Sequence, residues 1–295
     1  ASGGYSLYQS GSQSYRNLFK SENAIDAEII LARDYNNDLS LVHKVQAFEN
    51  SPTLGRPGLS KKLVNYYLMK NGNRFTDQPN YATMEFKDEI VNRDPRLAKY
   101  ILFNGATFKE KAIITGTYPD AENKQDNNLN QLSTSTRTGY YLRKLLREDC
   151  NANPNSLNAK FHIPVRIRYT EIFLAYAEAA NDAWGPMGKG SNAYSAYDVV
   201  KAIRARGGVG TDNGDAYLES IKGDKEKMTQ LIRNERRIEL CFENKRFWDI
   251  RRWQMPLAET AKGMRIDKVG ESLNYTVIDV ENRNYKEYMN YGPIP

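Results

Sequence analysis

Arg168-Tyr169-Thr170-Glu171-Ile172-Phe173-Leu174-Ala175-Tyr176-Ala177-Glu178-Ala179 reads as the body of a helix running from Arg166 to Asn181 and stopping near Trp184-Gly185-Pro186. Its Ala175, Ala177, Ala179 and Ala180 let a partner helix approach closely. After a glycine-rich turn, residues 193–206 form a second helix with Ala196, Val199, Val200 and Ile203 on one side. Gly207-Gly208 supplies its C-terminal stop, because glycine takes the left-handed conformation at least cost. Two helices joined by a short loop make an αα-hairpin, the size of one tetratricopeptide-type unit. No second copy follows at a period of about 34 residues. A third helix, from about Lys225 to Glu243, leads into a short fourth around Phe247 to Trp253. The tail is read as loop-rich, with many Tyr and Asn, ending at Pro293-Ile294-Pro295.

Upstream the chain is irregular. Residues 1–60 carry many Ser, Asn and Gly, and Ile29-Ile30-Leu31 suits either a strand or one turn of helix. Ser51-Pro52-Thr53-Leu54-Gly55-Arg56-Pro57-Gly58 is a loop by its Pro and Gly content. Ser60 caps a helix carrying Leu63, Val64, Tyr67 and Leu68, which Asn71-Gly72 ends. The segment from Arg74 to Phe86 reads as a loop, Asp94-Pro95 as a turn, and residues 119–137 as polar, exposed and mobile.

Composition narrows the functional classes. The chain has 295 residues, 40% hydrophobic and 26% charged, as an ordinary globular protein does. No stretch approaches the ~20 apolar residues needed to span a bilayer. The start, Ala1-Ser2-Gly3-Gly4-Tyr5, lacks the basic and apolar regions of a signal peptide. The formal charge of +6 is mild, and acids are interleaved almost everywhere, which argues against nucleic acid. Cys150 and Cys241 are too few for a disulfide framework or a zinc site, and Cys241 reads as a buried small hydrophobe. His43 and His162 stand far apart, so no histidine-based metal site is expected. The 20 tyrosines stand out. Their flat apolar faces and polar tips suit wet surfaces such as sugar sites, and equally a half-polar helical core.

The charged segment Arg233-Asn234-Glu235-Arg236-Arg237-Ile238-Glu239 places Glu235 along an apolar stripe formed by Met228, Leu231, Ile238 and Phe242, with Glu239 beside it. Paired carboxylates are the equipment of a glycosidase. The flanking arginines, however, lower a carboxylate's pKa, the wrong direction for a general acid. Buried ion pairing is the expected role, Arg236 reaching Glu239 along the helix. Glu171 and Glu178, on a face shared with Arg168, are read the same way, with Arg204, Arg206, Arg233 and Arg236 as available partners. Arg246-Phe247-Trp248-Asp249-Ile250-Arg251-Arg252-Trp253 mixes basic and aromatic residues, but seven bases against four acids from Arg233 to Arg252 leave little net charge for a nucleic acid. No catalytic or phosphate-binding signature occurs, so no enzyme and no cofactor are expected.

Several of these stretches carry a family resemblance. Arg168–Ala179 resembles the "RxAEIYLxYAEA" helix of the SusD/RagB family, and Ala202–Val209 its "AIRARGGV" helix end. Glu235–Trp253 is similar to its "ERRIELxFExxRFWDIRRW" segment, Asn92-Arg93-Asp94-Pro95-Arg96-Leu97 to "NRDPRL", Lys70-Asn71-Gly72 to "xKDGxP", and Pro293-Ile294-Pro295 to "PIP". The six stand in the family's order, from about residue 20 to the end of the chain. The resemblance implies a mostly α fold, SusD-like, with tetratricopeptide-like helical hairpins, long irregular loops and little β. It implies a loop-rich ligand-facing region over residues 1–160 and a helical C-terminal region over residues 161–295, in one continuous domain.

It further implies a non-catalytic, lipid-anchored protein on the extracellular face of the outer membrane of Bacteroidetes. Such a protein binds oligosaccharides or polysaccharides and delivers them to a TonB-dependent SusC-like transporter. The family's lipid-carrying N-terminal cysteine and N-terminal repeats have no counterpart here, so the resemblance is to the C-terminal part of such a protein. A helical-repeat module that binds peptide or protein is the alternative. No motif marks the sugar site; loop residues with stacking or hydrogen-bonding side chains are its candidates, namely Tyr35, Asn36, Arg56, Phe75 and Tyr81. Trp184, beside Gly185-Pro186, is read as a plug of the hairpin.

Overall fold

In the computed structural model the first long helix spans Tyr169–Trp184. The structure describes residues 4–11, 14–20, 27–32, 60–79, 81, 90, 92–118, 136–149, 158, 165–256, 258–283 and 286. The helix starts three residues later than its sequence suggests, because Val165–Arg168 is a strand paired antiparallel with Ile29–Ala32. That pairing settles Ile29-Ile30-Leu31 as extended. At the other end the Gly185 N–H caps the Asn181 carbonyl with φ 75°. The second helix, Ala196–Gly207, begins in a reciprocal capping box between Ser195 and Asp198 and ends at Gly208, with φ 90°. The third, Lys225–Glu239, is capped by the Asp224 side chain. It stops short of Glu243, since Phe242 and Asn244 take positive φ of 65° and 61°. The fourth spans Arg246–Arg252.

The chain divides into two compact units, each discontinuous in sequence. The first comprises Ala1–Asp38, Asn65–Lys99 and Phe161–Glu243. Its core is the αα-hairpin with the third helix laid against it: Leu174, Ala177, Val199, Val200, Ile203, Met228 and Ile232 are sealed from water. Each large aliphatic side chain buried there contributes about 1.5–3 kcal/mol. Ala177 and Ala180 face this core, whereas Ala175 and Ala179 are exposed.

The second unit comprises Leu39–Val64, Tyr100–Lys160 and Asn244–Pro295. A small core of Leu102, Ala106, Phe108, Ile113, Tyr141 and Leu146 is bracketed by two-residue strand pairs. The tail is a correction to the loop-rich expectation: Thr260–Val269 and Ser272–Asn282 form an antiparallel hairpin turning at Gly270-Glu271. Alternation drives it, Met264 and Ile266 pointing inward between exposed or half-exposed Arg265 and Asp267. The outer edge of its first strand is engaged by Thr117, whose N–H donates to Ile266 O at 2.8 Å, and by Thr138 O, which accepts from Met264 N at 2.9 Å. Residues 119–135 lie outside the described set, and Thr136, at the end of that polar stretch, is buried. The fold is mostly helical with little sheet, every described sheet being two-stranded. Among the described residues no helix is long and apolar enough to cross a membrane.

Candidate ligand-binding site

The Lys61–Tyr66 helix starts one residue after Ser60, whose carbonyl accepts from Leu63 N at 2.9 Å. The chain then leaves it through a bridge between Met69 and Arg93 and enters the turn from Arg74 to Tyr81. Phe75–Asp77 is a single 3₁₀ turn, anchored by its own first ring. Phe75 is 1% exposed, and the Arg93 guanidinium lies 3.9 Å over its centroid. Arg93 is itself fixed by two hydrogen bonds to Tyr67 O, from Nε at 3.2 Å and Nη2 at 2.6 Å. Tyr81 meets Phe75 edge-on, centroids 6.0 Å apart at 80°, and its N–H donates to Gln78 O at 3.2 Å. Tyr81 keeps 40% of its surface in water. The same turn carries the Arg74 Nε–Asp77 Oδ2 pair at 3.0 Å, with Thr76 exposed and Gln78 half-buried.

This turn therefore offers an exposed phenol ring propped on a buried one, with a guanidinium, a carboxylate and an amide close by in sequence. Of the five candidates, Phe75 and Tyr81 are brought together here, in unequal roles. Phe75 has no face left for a ligand and serves as the support, a correction that its burial imposes. Tyr35, Asn36 and Arg56 lie outside the described residues.

The acids of the third helix are locked. Glu235 is fully buried; Oε1 accepts from Arg204 Nη1 at 2.9 Å and Oε2 from Arg96 Nη1 at 2.8 Å. Glu239, equally buried, accepts from Arg168 Nη1 at 3.1 Å and Arg206 Nη2 at 2.6 Å on Oε1, and from Arg96 Nη1 and the Tyr15 hydroxyl, both at 3.0 Å, on Oε2. Asp94 closes on Arg96 at 2.7 Å, Asp215 on Arg204 at 2.5 Å, Glu28 on Arg168 at 2.7 Å and on Arg206 at 2.5 Å, and Glu243 on Arg168 at 2.8 Å. Burial opposes the charge on Arg96, but the carboxylates of Asp94 and Glu235 outweigh it and hold the guanidinium above its ordinary range. Burial, and then the Glu239 carboxylate, push the Tyr15 hydroxyl above the usual phenol value.

Every oxygen of Glu235 and Glu239 is thus engaged by a buried donor, so neither is placed to exchange a proton with a substrate in an open cleft. Ion pairing was legible in the supply of arginines around these acids, and Arg204 and Arg206 are among the partners expected. Their principal partner Arg96 was not, lying 139 residues from Glu235 in the chain. Among the described residues no group of three His, Cys, Asp or Glu side chains is arranged for a metal ion. Cys241 is buried, its Sγ 3.6 Å from the Tyr67 hydroxyl.

The sequence matches the SusD family over residues 26–295, and the chain belongs to that family. Two solved structures share its fold. A SusD-like protein from Bacteroides fragilis NCTC 9343 is 23% identical, with a TM-score of 0.66 over 97% of this chain and 55% of its own. A SusD-like carbohydrate binding protein from the same strain is 22% identical, with a TM-score of 0.64 over 95% of this chain and 57% of its own. The chain spans just over half the length of these two proteins. No curated protein matches it.

Proposed function

We propose that this chain belongs to a non-catalytic glycan-binding protein, held by a lipid anchor on the extracellular face of the outer membrane, that delivers oligosaccharides to a TonB-dependent SusC-like transporter. The observation that carries the reading is Tyr81, a 40% exposed ring held at a fixed angle by a buried Phe75. A sugar ring has one face of C–H bonds that packs on such a platform, and hydroxyls at its rim that need charged or amide partners like those of Arg74, Asp77 and Gln78. Family membership and a carbohydrate binding relative of the same fold support it. Tyr35, Asn36 and Arg56 stand as proposed ligand contacts on the sequence argument alone.

Native affinity electrophoresis across amylopectin, xyloglucan, galactomannan, yeast α-mannan and mucin tests the reading. Retardation is expected on one class. Tyr81→Ala, which removes one exposed ring face worth about 1.5 kcal/mol, weakens it about tenfold. Migration unchanged on every polysaccharide, with stable capture of a peptide instead, would sink the glycan reading and favour the helical-repeat alternative.

A further inference from the structure

Trp184 ends the first long helix, and the chain that follows folds back on it. At Gly190, where φ is +54°, a Cβ would lie 2.9 Å from Cζ2 and 3.1 Å from Cε2 of the indole. At Gly188 a Cβ would lie 2.6 Å from Trp184 Cβ and 2.2 Å from its carbonyl oxygen. Only a backbone without side chains comes this close, so Gly190 lays the loop against the six-membered ring and Gly188 against the Trp184 backbone and Cβ. The loop is held in turn. Tyr197 N donates to Pro186 O at 2.9 Å, Asn192 donates to Lys189 O from its backbone at 2.9 Å and from Nδ2 at 3.2 Å, and Tyr176 donates from its hydroxyl to Tyr194 O at 2.5 Å. The expected plug is therefore half of the description: the indole is pinned on one side and still 47% exposed.

We propose that Trp184 is a second stacking subsite, taking the C–H face of one hexopyranose unit of a glycan. The inference rests on the glycan reading above and adds to it a residue on a separate loop. What distinguishes the spot from a protein-docking face is its border. Three large apolar side chains of this stretch, Trp184, Met187 and Tyr194, are exposed, and polar residues interleave with them in sequence: Asp182, Lys189, Ser191 and Asn192 are all exposed as well. Protein interfaces are depleted of charge at their core. A sugar ring instead needs a single rigid platform, with ammonium, carboxylate, hydroxyl and amide groups around it to meet its hydroxyls. Rigidity matters because a ring already fixed in the free protein loses no side-chain freedom on binding.

The polysaccharide of the panel that most retards the wild-type chain serves as the probe. Trp184→Ala is expected to raise its Kd about tenfold, and Trp184→Phe, which keeps a flat ring, to stay within about threefold. Hydroxyl-radical footprinting of the wild-type chain reads the same contact without a mutation, and Trp184 is expected to be protected when that polysaccharide is added. Unchanged affinity in Trp184→Ala, or Trp184 oxidised equally fast with and without glycan, overturns the subsite and leaves the glycan reading standing. A wild-type chain that no polysaccharide retards overturns that reading and this subsite together.

Discussion

Glu235→Ala leaves the guanidinium groups of Arg96 and Arg204 facing each other across a space closed to water, since all three side chains are fully buried. The magnitude follows from the contacts. Breaking a buried ion pair by deleting one partner costs about 3–5 kcal/mol. Here one carboxylate serves two arginines, which raises the cost, but both keep other acids. Arg96 retains Asp94 and Glu239, and Arg204 retains Asp215. The two corrections oppose one another, and the expected loss is about 3–4 kcal/mol. Against a total stability of about 5–15 kcal/mol this is a large share. With an m-value near 2–3 kcal/mol/M, the urea midpoint falls by about 1–2 M. Urea titration followed by far-UV circular dichroism measures it, and glycan affinity per folded molecule should change by less than about twofold. A loss below about 1 kcal/mol, or abolished binding at an unaltered midpoint, would refute the structural assignment of this acid.

Two further outcomes follow from the same interior. Gly72 sits at φ +90°, where a Cβ would come 2.1 Å from Asp215 Oδ1 and 2.8 Å from Arg204 Nη2. Gly72→Ala should therefore split the Arg204–Asp215 pair and lower stability by about 2–4 kcal/mol, and an unchanged Tm would contradict this. Tyr15 and Tyr67 are both held above the ordinary phenol pKa, by burial first and then by Glu239 and Cys241 respectively. A raised native value means their contribution to stability is complete below the unfolded pKa of about 10 and is lost as pH climbs beyond it, because only the unfolded chain can ionise. An ultraviolet alkaline titration should show these two phenols ionising together with unfolding; full tyrosine ionisation while the native dichroism persists would disprove it.

The hairpin helices were legible because their apolar residues recur at helical spacing and glycines close them: Val199, Val200 and Ile203 mark one face, and Gly208 ends it. The hairpin over residues 260–282 was hidden by its many charges, its two asparagines and Tyr275, since only Met264 and Ile266 of its first strand are buried deeply enough to impose an apolar alternation. The site was less legible than the fold. Phe75 and Tyr81 are both aromatic residues of one turn, and the Arg93 guanidinium that covers the Phe75 ring comes from 18 positions further along the chain. Trp184 was visible as an aromatic beside glycines, but how much of it the glycines cover is a matter of loop geometry that no spacing rule conveys. Glu28, in a turn, and Arg96, at the start of a five-residue helix, carried no periodic signal at all.

The ion network also constrains when this protein can fold. Glu28 and Glu239 meet on Arg168 and Arg206, so residues 211 positions apart close one cluster, and Asp94 and Arg96 enter it from a third segment. A chain emerging from the ribosome at about 5–20 residues per second carries Arg168 and Arg206 for several seconds before Glu235 and Glu239 appear. Through that interval these arginines lack the acids of the third helix, and desolvating them is unfavourable. The first unit is therefore expected to stay open until nearly its whole sequence is available, and then to close with high cooperativity. Ion pairs that join segments up to 211 positions apart carry a loop-closure cost, which slows folding and makes the elements need one another in order to persist.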